Sequence, residues 1–222
     1  MLLWLVKHSR PDIANSVREL SKVLDGPTKA AQKEMLRGIK YVLDTKDRGL
    51  KLFPKKVNRK EAWELVCFSD SGYAGDPDSR RSVSGYVLFA MGVPIVWRSQ
   101  GQKSVTLSSS EAEWIAMSEA VKDIMFLVQL LQSMSIPVRL PVTVRVDNIG
   151  AIFMAKNAST TGCTKHVDVR TKFVREFQED GKITIVFVRS EDNHADILTK
   201  NITGDLQDKH AGVLTCRKGD NF

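Results

Sequence analysis

The sequence predicts an α/β domain built on one mixed five-stranded sheet flanked by helices, with a helical appendage before it. Two observations carry that expectation. Three strand-like runs between Glu64 and Arg98 are joined by short loops, which makes them antiparallel neighbours. Two later strand-like runs, 142–146 and 183–188, are each reached through helices, which makes them parallel to the first strand. The order from Glu64 onward is β-β-β-α-β-α-α-β-α.

The elements follow from local patterns. The start, Met1-Leu2-Leu3-Trp4-Leu5-Val6, reads as a buried segment cut from a longer chain. Arg10-Pro11-Asp12-Ile13 opens a helix through Val17, Leu20 and Val23-Leu24, and Gly26-Pro27-Thr28 breaks it. A second helix carries Met35, Ile39 and Val42-Leu43 on one face. Residues 46–62 are a polar linker with a short strand near Gly49 to Phe53. Strands follow at 64–70, Ser82 to Ala90 and Val93 to Arg98, with Met91-Gly92 as the tight turn between the last two. A long helix spans about 109–133, and a strand at 142–146 leads into a helix at about 148–157. The helix at about 165–179 stops at Gly181, the fifth strand is Ile183 to Val188, and a short helix runs from His194 to Lys200. The expected division is 1–62 as helical segment plus linker, 63–202 as the α/β domain, and 203–222 as a loose polar tail.

The chain has 222 residues, 42% hydrophobic and 27% charged, which suits a soluble globule with one ample domain and an appendage. Its net charge is +7. A basic surface around an acidic site suits an anionic nucleic-acid partner, although surface charge that aids solubility looks the same. Cys67, Cys163 and Cys216 are odd in number and widely spaced, so no disulfide framework follows and a reducing interior is the expected setting. Cys163 and His166 lack the second pair of a zinc site. No apolar run approaches membrane length, so no membrane partner is expected.

Four acids stand where strands end or helices begin: Asp70, Glu113, Asp147 and Asp196. Carboxylates so placed can converge on one edge of a sheet. Four of them would repel unless divalent cations neutralised them, an arrangement suited to metal-dependent phosphodiester cleavage. Each acid also has a structural role open to it. Asp70 can serve a turn before Gly72, Asp147 can cap the helix after it, and Asp196 can complete an N-terminal box with Asn193. Glu113 discriminates. Ser108-x-x-Glu111 is a capping box, which gives Glu111 a structural task. Glu113 heads the apolar stripe Ala116, Met117, Ala120, Ile124, Leu127 and Leu131, which must pack on the sheet. Glu113 is therefore assigned to the site and Glu111 to the cap.

These residues resemble a known family. Phe68-Ser69-Asp70, Gly75-Asp76 and Arg81-Ser82-x-Ser84-Gly85-Tyr86 are similar to the start of the ribonuclease H domain of copia-type retrotransposon polyproteins. Trp97-Arg98-Ser99, Ser109-Ser110-Glu111-Ala112-Glu113-Trp114-Ile115-Ala116 and Val146-Asp147-Asn148 continue the likeness in order. Thr164-Lys165-His166-x-Asp168 and Ala195-Asp196-Ile197-Leu198-Thr199-Lys200 complete it. Upstream, Arg10-Pro11-Asp12-Ile13, Leu20-Ser21, Pro27-Thr28 and Gly49-Leu50 resemble the end of the reverse transcriptase domain that precedes ribonuclease H in such polyproteins. No polymerase aspartate motif is present, so this chain is not expected to polymerise DNA. Cellular ribonucleases H carry their catalytic glutamate in Glu-Leu-x-Ala, which Glu113-Trp114-Ile115-Ala116 resembles. They also carry a histidine loop after the fifth strand; here Val188 to Asp196 is short and holds only His194.

The resemblance implies a ribonuclease H-like fold and an endonuclease that cleaves the RNA strand of an RNA–DNA hybrid. It implies two Mg²⁺, with Mn²⁺ as an alternative, about 3.5–4 Å apart. Asp70 would bridge both, Asp147 and Asp196 would complete one position and Glu113 would serve the other. No small-molecule cofactor is expected. Ser108, Ser109 and Ser110 can offer hydroxyls and amides to the 2′-hydroxyls of RNA, or simply cap the helix. Arg80, Arg81, Lys165 and His166, with Arg170, Lys172 and Arg175, are candidate phosphate contacts, each also readable as solvated surface. Trp97 and Trp114 are expected at the rim of the core rather than stacked on a base. The remaining partner is the rest of the retroelement polyprotein. The setting is intracellular, in a cytoplasmic virus-like particle or the nucleus. The alternative is a catalytically silent nucleic-acid-binding fragment of a degenerate element. Transposases and integrases of the same fold end their acidic set with a glutamate on the last helix, which the early Glu113 and late Asp196 fit less well.

Overall fold

The computed structural model describes residues 1–52, 61–156 and 165–218. In chain order the helices are α1 (Leu2–His8), α2 (Ala14–Ser21), α3 (Lys29–Asp44), α4 (Ser109–Ser133), α5 (Ile149–Lys156), α6 (Lys165–Glu179) and α7 (Gly204–Leu214). The strands are β1 (Arg48–Leu50), β2 (Leu65–Gly72), β3 (Val83–Ala90), β4 (Val93–Gly101), β5 (Val142–Val146), β6 (Ile183–Phe187) and β7 (Thr215–Arg217). Single 3₁₀ turns lie at Pro11–Ile13, Ser190–Asp192 and Asp196–Leu198.

Strands β2 to β6 form the expected mixed sheet, in the order β4-β3-β2-β5-β6. The pairs β2–β3 and β3–β4 are antiparallel, and β2–β5 and β5–β6 are parallel. Met91 (φ 52°) and Gly92 (φ 82°) make the two-residue turn from β3 to β4, and two left-handed positions match the twist of a hairpin. Both faces of the sheet are covered, so β3 is buried along its whole length. Cys67, Tyr86, Leu88, Val144 and Ile185 point towards α4 and α6, where they meet Trp114, Met117, Val121, Ile124 and Val174. The intervening residues Phe68, Val87 and Phe89 point the other way, onto Ala14, Ala195, Ile197, Leu198, Ala211 and Leu214. This is the two-residue alternation of a strand applied to two cores. In α4 the stripe Ala116, Met117, Ala120, Ile124 and Leu131 is buried, and Trp114 is wholly inside the core rather than at its expected place on the rim.

The segments outside the sheet differ from expectation. The first residues are not a buried segment: Leu3 and Trp4 of α1 are 53% and 61% exposed. The helix expected from Arg10 opens as a 3₁₀ turn and ends at Ser21. The buried Arg10–Asp12 pair (2.8 Å) ties that turn to Thr45 at the end of α3. Residues 204–217 are not a loose tail. The helix α7 buries His210, Ala211 and Leu214, and β7 pairs antiparallel with β1 across the molecule. The short helix expected at 194–200 is one 3₁₀ turn, held by Leu198 N–H to Ala195 O and Thr199 N–H to Asp196 O.

Candidate active site

Strands β2 and β5 run parallel, in a register that pairs Phe68 with Arg145. That register sets Asp70, near the end of β2, level with Asp147, one residue beyond β5. The first turns of α4 bring Glu113 over the same edge. Carboxylate oxygens of Asp70, Glu113 and Asp147 lie within 4.8 Å of one another, the one such three-acid group among the described residues. Glu113 Oε1 accepts from the backbone N–H and the hydroxyl of Ser71, both at 3.0 Å. Asp147 Oδ2 accepts from the Ser190 hydroxyl at 2.7 Å.

Asp196 joins from the loop after β6. Asn193, fully buried, anchors that loop to β2 by donating from Nδ2 to Ser69 O at 3.0 Å. The Thr199 hydroxyl donates to Asp70 Oδ2. Lys200 Nζ lies 3.4 Å from Asp70 Oδ1 and 3.2 Å from Asp196 Oδ2. The loop can come this close because β3 carries Gly85 opposite Asp70. A Cβ on Gly85 would overlap Thr199 Cγ2 and sit 3.0 Å from Leu198 Cβ. A Cβ on Gly72 would lie 2.9 Å from Thr199 O.

The cost of gathering the acids appears in their proton affinities. Burial, then the charges of Asp70 and Asp147, push Glu113 up to about 9. Burial and the Asp70 charge push Asp196 up to about 7, with Lys200 opposing. Burial raises Asp70 as well, against the pull of Lys200 and Thr199. Close carboxylates in a shielded pocket resist sharing the ionised state. Two buried oxygens, Glu113 Oε2 and Asp196 Oδ1, have no hydrogen-bond partner. An all-oxygen donor set with unpartnered buried carboxylate atoms fits a hard divalent cation.

The other residues singled out from sequence fall into three groups. Ser108 caps α4 by accepting from Glu111 N–H at 3.1 Å, and Glu111 Oε2 accepts from Leu107 N–H at 2.7 Å, so Glu111 does belong to the cap. Ser110 donates to Asn148 Oδ1 at 3.3 Å, beside Asp147, while Ser108 and Ser109 are exposed. Arg80 and Arg81 are exposed in the loop between β2 and β3, which leaves the sheet at the same edge as Asp70. Lys165 and His166 open α6, but their side chains lie outside the described residues. Arg170 binds Glu119 at 2.7 Å and Ser118 at 2.8 Å, which fastens α6 to α4. Trp97 donates from Nε1 to Val6 O at 2.7 Å rather than facing solvent. His194 turns away from the acids. Its ring lies tilted against Phe68 and meets His210 through Nδ1 at 3.0 Å, and burial lowers it to about 4. Sequence reasoning missed Asn193, Thr199, Lys200 and Gly85 as parts of the site. The last three stand inside quoted motifs, but only the fold shows that they touch the acids.

No protein-family model matches the chain. It is 31% identical over 201 residues to the retrovirus-related Pol polyprotein from transposon RE1 of Arabidopsis thaliana. It is 32% identical over 209 residues to the corresponding polyprotein from transposon TNT 1-94 of Nicotiana tabacum. Each alignment covers 90% of this chain. The chain belongs to the copia-type retrotransposon Pol family. It spans 13% of the RE1 polyprotein and 14% of the TNT 1-94 polyprotein. Among solved structures, LC11-RNase H1, isolated from compost by a metagenomic approach, is 18% identical with a TM-score of 0.48, over 66% of this Pol segment and 96% of that chain. No described helix of the Pol segment is long and apolar enough to cross a membrane.

Proposed function

We propose that this chain is the ribonuclease H portion of a copia-type Pol polyprotein and cleaves the RNA strand of RNA–DNA hybrids with divalent cations, Mg²⁺ or Mn²⁺. The observation that carries the reading is the convergence of Asp70, Glu113 and Asp147 within 4.8 Å, with Asp196 joined to Asp70 through Lys200. Asp70, Glu113, Asp147 and Asp196 would hold the cations, with Asp70 shared. When bound, such ions supply a nucleophile by lowering the pKa of water and neutralise charge on the leaving oxygen.

The protein's own part is position. Ser71 fixes one oxygen of Glu113 and leaves the other free. Ser190 orients Asp147 from outside the cluster. Thr199 fixes Asp70, and Asn193 fixes the loop that carries Asp196. Such supporting bonds decide ligand orientation as much as the ligands do. The exposed Ser108 and Ser109, with Ser110 at the head of α4, would read the 2′-hydroxyls of the RNA strand. Arg80 and Arg81 would meet its phosphates at the same edge. Residues 1–62 would be the end of the polymerase region, and the remaining polyprotein the natural partner, inside the cell in a particle or the nucleus.

The test is cleavage of an end-labelled RNA–DNA hybrid with Mg²⁺ or Mn²⁺, beside Asp70→Asn, a chelator control, and duplex DNA of the same sequence. The reading expects RNA-strand cuts that vanish with Asp70→Asn and with chelator. A wild-type rate no higher than that of Asp70→Asn would leave a silent nucleic-acid-binding fragment instead. Cuts in duplex DNA alone would assign the acids to a different strand-transfer chemistry.

A further inference from the structure

Lys200 is a cation already seated among the acids. Its ammonium group contacts Asp70 Oδ1 at 3.4 Å and Asp196 Oδ2 at 3.2 Å, and those two side chains are 1% and 8% exposed. An exposed lysine–carboxylate pair is worth little. Here both carboxylates are shielded, and they lie on different elements: Asp70 near the end of β2, Asp196 in the loop after β6. The oxygens of the cluster are therefore unequally available. Both oxygens of Asp70 are engaged, Oδ2 by the Thr199 hydroxyl and Oδ1 by Lys200. Glu113 Oε2, on the other side, has no partner, and of Asp196 it is Oδ1 alone that lacks one. The position framed by Asp70, Glu113 and Asp147 holds no cationic side chain, whereas the position framed by Asp70 and Asp196 holds the ammonium of Lys200.

We propose, resting on the metal-dependent reading above, that Lys200 is a built-in counter-cation that closes the Asp70–Asp196 position and must withdraw before a divalent ion enters it. Two cation positions then differ in affinity by construction, and the Glu113 side fills first. Lys200 has somewhere to go. Its side chain is 41% exposed, and it lines a cavity of about 640 Å³ between α2, α3 and the segment leading into α7. The device solves a problem set by the acids themselves. Without an ion, Asp70 and Asp196 would face each other as buried like charges, and the ammonium offsets that repulsion. With an ion, the same ammonium is one positive charge too many. Lys200 is thus a positioning residue that acts on the occupancy of the site.

Direct Mn²⁺ binding, followed by the electron paramagnetic resonance signal of the free ion at pH 8, tests this without any nucleic acid. The wild-type chain should bind one Mn²⁺ and a second at least ~10-fold more weakly, a gap of about 1.4 kcal/mol. Lys200→Met should tighten the second ion to within ~3-fold of the first and leave the first nearly unchanged. Lys200→Arg, which keeps the charge, should retain the wild-type gap and show that loss of folding is not the cause. A second ion that is unchanged or weaker in Lys200→Met would overturn the role given to Lys200 while leaving metal binding intact. Absence of Mn²⁺ binding in wild type and Lys200→Met alike would overturn the metal-dependent reading itself, together with this one.

Discussion

Replacing Gly85 with alanine should damage the site from a residue that carries no charge and touches no ligand. Gly85 lies on β3 directly opposite Asp70. The added Cβ would overlap Thr199 Cγ2, lie 3.0 Å from Leu198 Cβ and 3.4 Å from Ala195 O. Thr199 can rotate to escape, but its hydroxyl then leaves Asp70. Leu198 can escape only if the loop shifts, because a Cβ does not move without its backbone. Forcing one methyl into a packed interior typically costs about 1–3 kcal/mol. For a chain of this size that lowers the melting temperature by roughly 3–9 °C. The loop that must shift carries Asp196, and a displacement near ~1 Å at a reacting group can cost ~100-fold in rate. Gly101→Ala is the control, since nothing lies within 4 Å of a Cβ there. Thermal unfolding and hybrid cleavage should separate the two variants clearly. If Gly85→Ala melts and cuts like Gly101→Ala, the close approach of the 195–199 loop to β3 is wrong.

Other outcomes follow from the same geometry. Glu113→Gln should cut hybrid at least ~100-fold more slowly, as expected for loss of a metal ligand, yet melt higher than wild type at pH 8 without divalent ions, because folding no longer has to protonate a carboxylate at that buried position. Glu111→Ala should do the reverse: about 1 kcal/mol of stability is lost with the cap at Leu107, and the cutting rate is little changed. The metal-free protein should also lose stability as pH rises from about 4.5 towards 9. Glu113 moves from 4.5 to about 9 and Asp196 from 3.8 to about 7 on folding, so across that window the native state holds more protons than the unfolded one. Lys200, raised despite its burial by the neighbouring Asp70 and Asp196 charges, keeps its stabilising contribution throughout, because the whole pH range lies below the ordinary lysine value of 10.5. Melting curves at several pH values check this, and a stability that climbs steadily from pH 5 to 9 would contradict it.

What the sequence disclosed about the fold depended on how local each signal is. Helix α4 begins and ends where its capping serine and apolar stripe indicate, at Ser109 and Ser133. The separation of Glu111 from Glu113 needed only helical spacing and a capping rule, and the contacts of Glu111 with Leu107 and of Glu113 with Ser71 agree with it. The strand order was readable because loop length decides whether neighbours run antiparallel. The second core was hidden. It joins Ala14 from the beginning of the chain to Ala211 and Leu214 from its end, and β1 finds its partner β7 more than 160 residues away (Arg48 with Arg217). No periodicity within either segment encodes such a meeting, so residues 204–217 read as polar tail. In the site, acids announce themselves by type and position. Lys200, Thr199 and Gly85 matter through contacts across the sheet, and nothing in their own neighbourhoods distinguishes a lysine that faces water from one that faces Asp70.

Function here requires that carboxylates distant in sequence form one cation-binding pocket. Anomalous diffraction at the manganese edge, from crystals of the chain grown with Mn²⁺, measures this directly. A peak bonded to Asp70, Glu113 and Asp147 is expected, and it should disappear in Asp70→Asn crystals. Ordered carboxylates with no peak among them, or a Mn²⁺ held elsewhere on the protein, would contradict it.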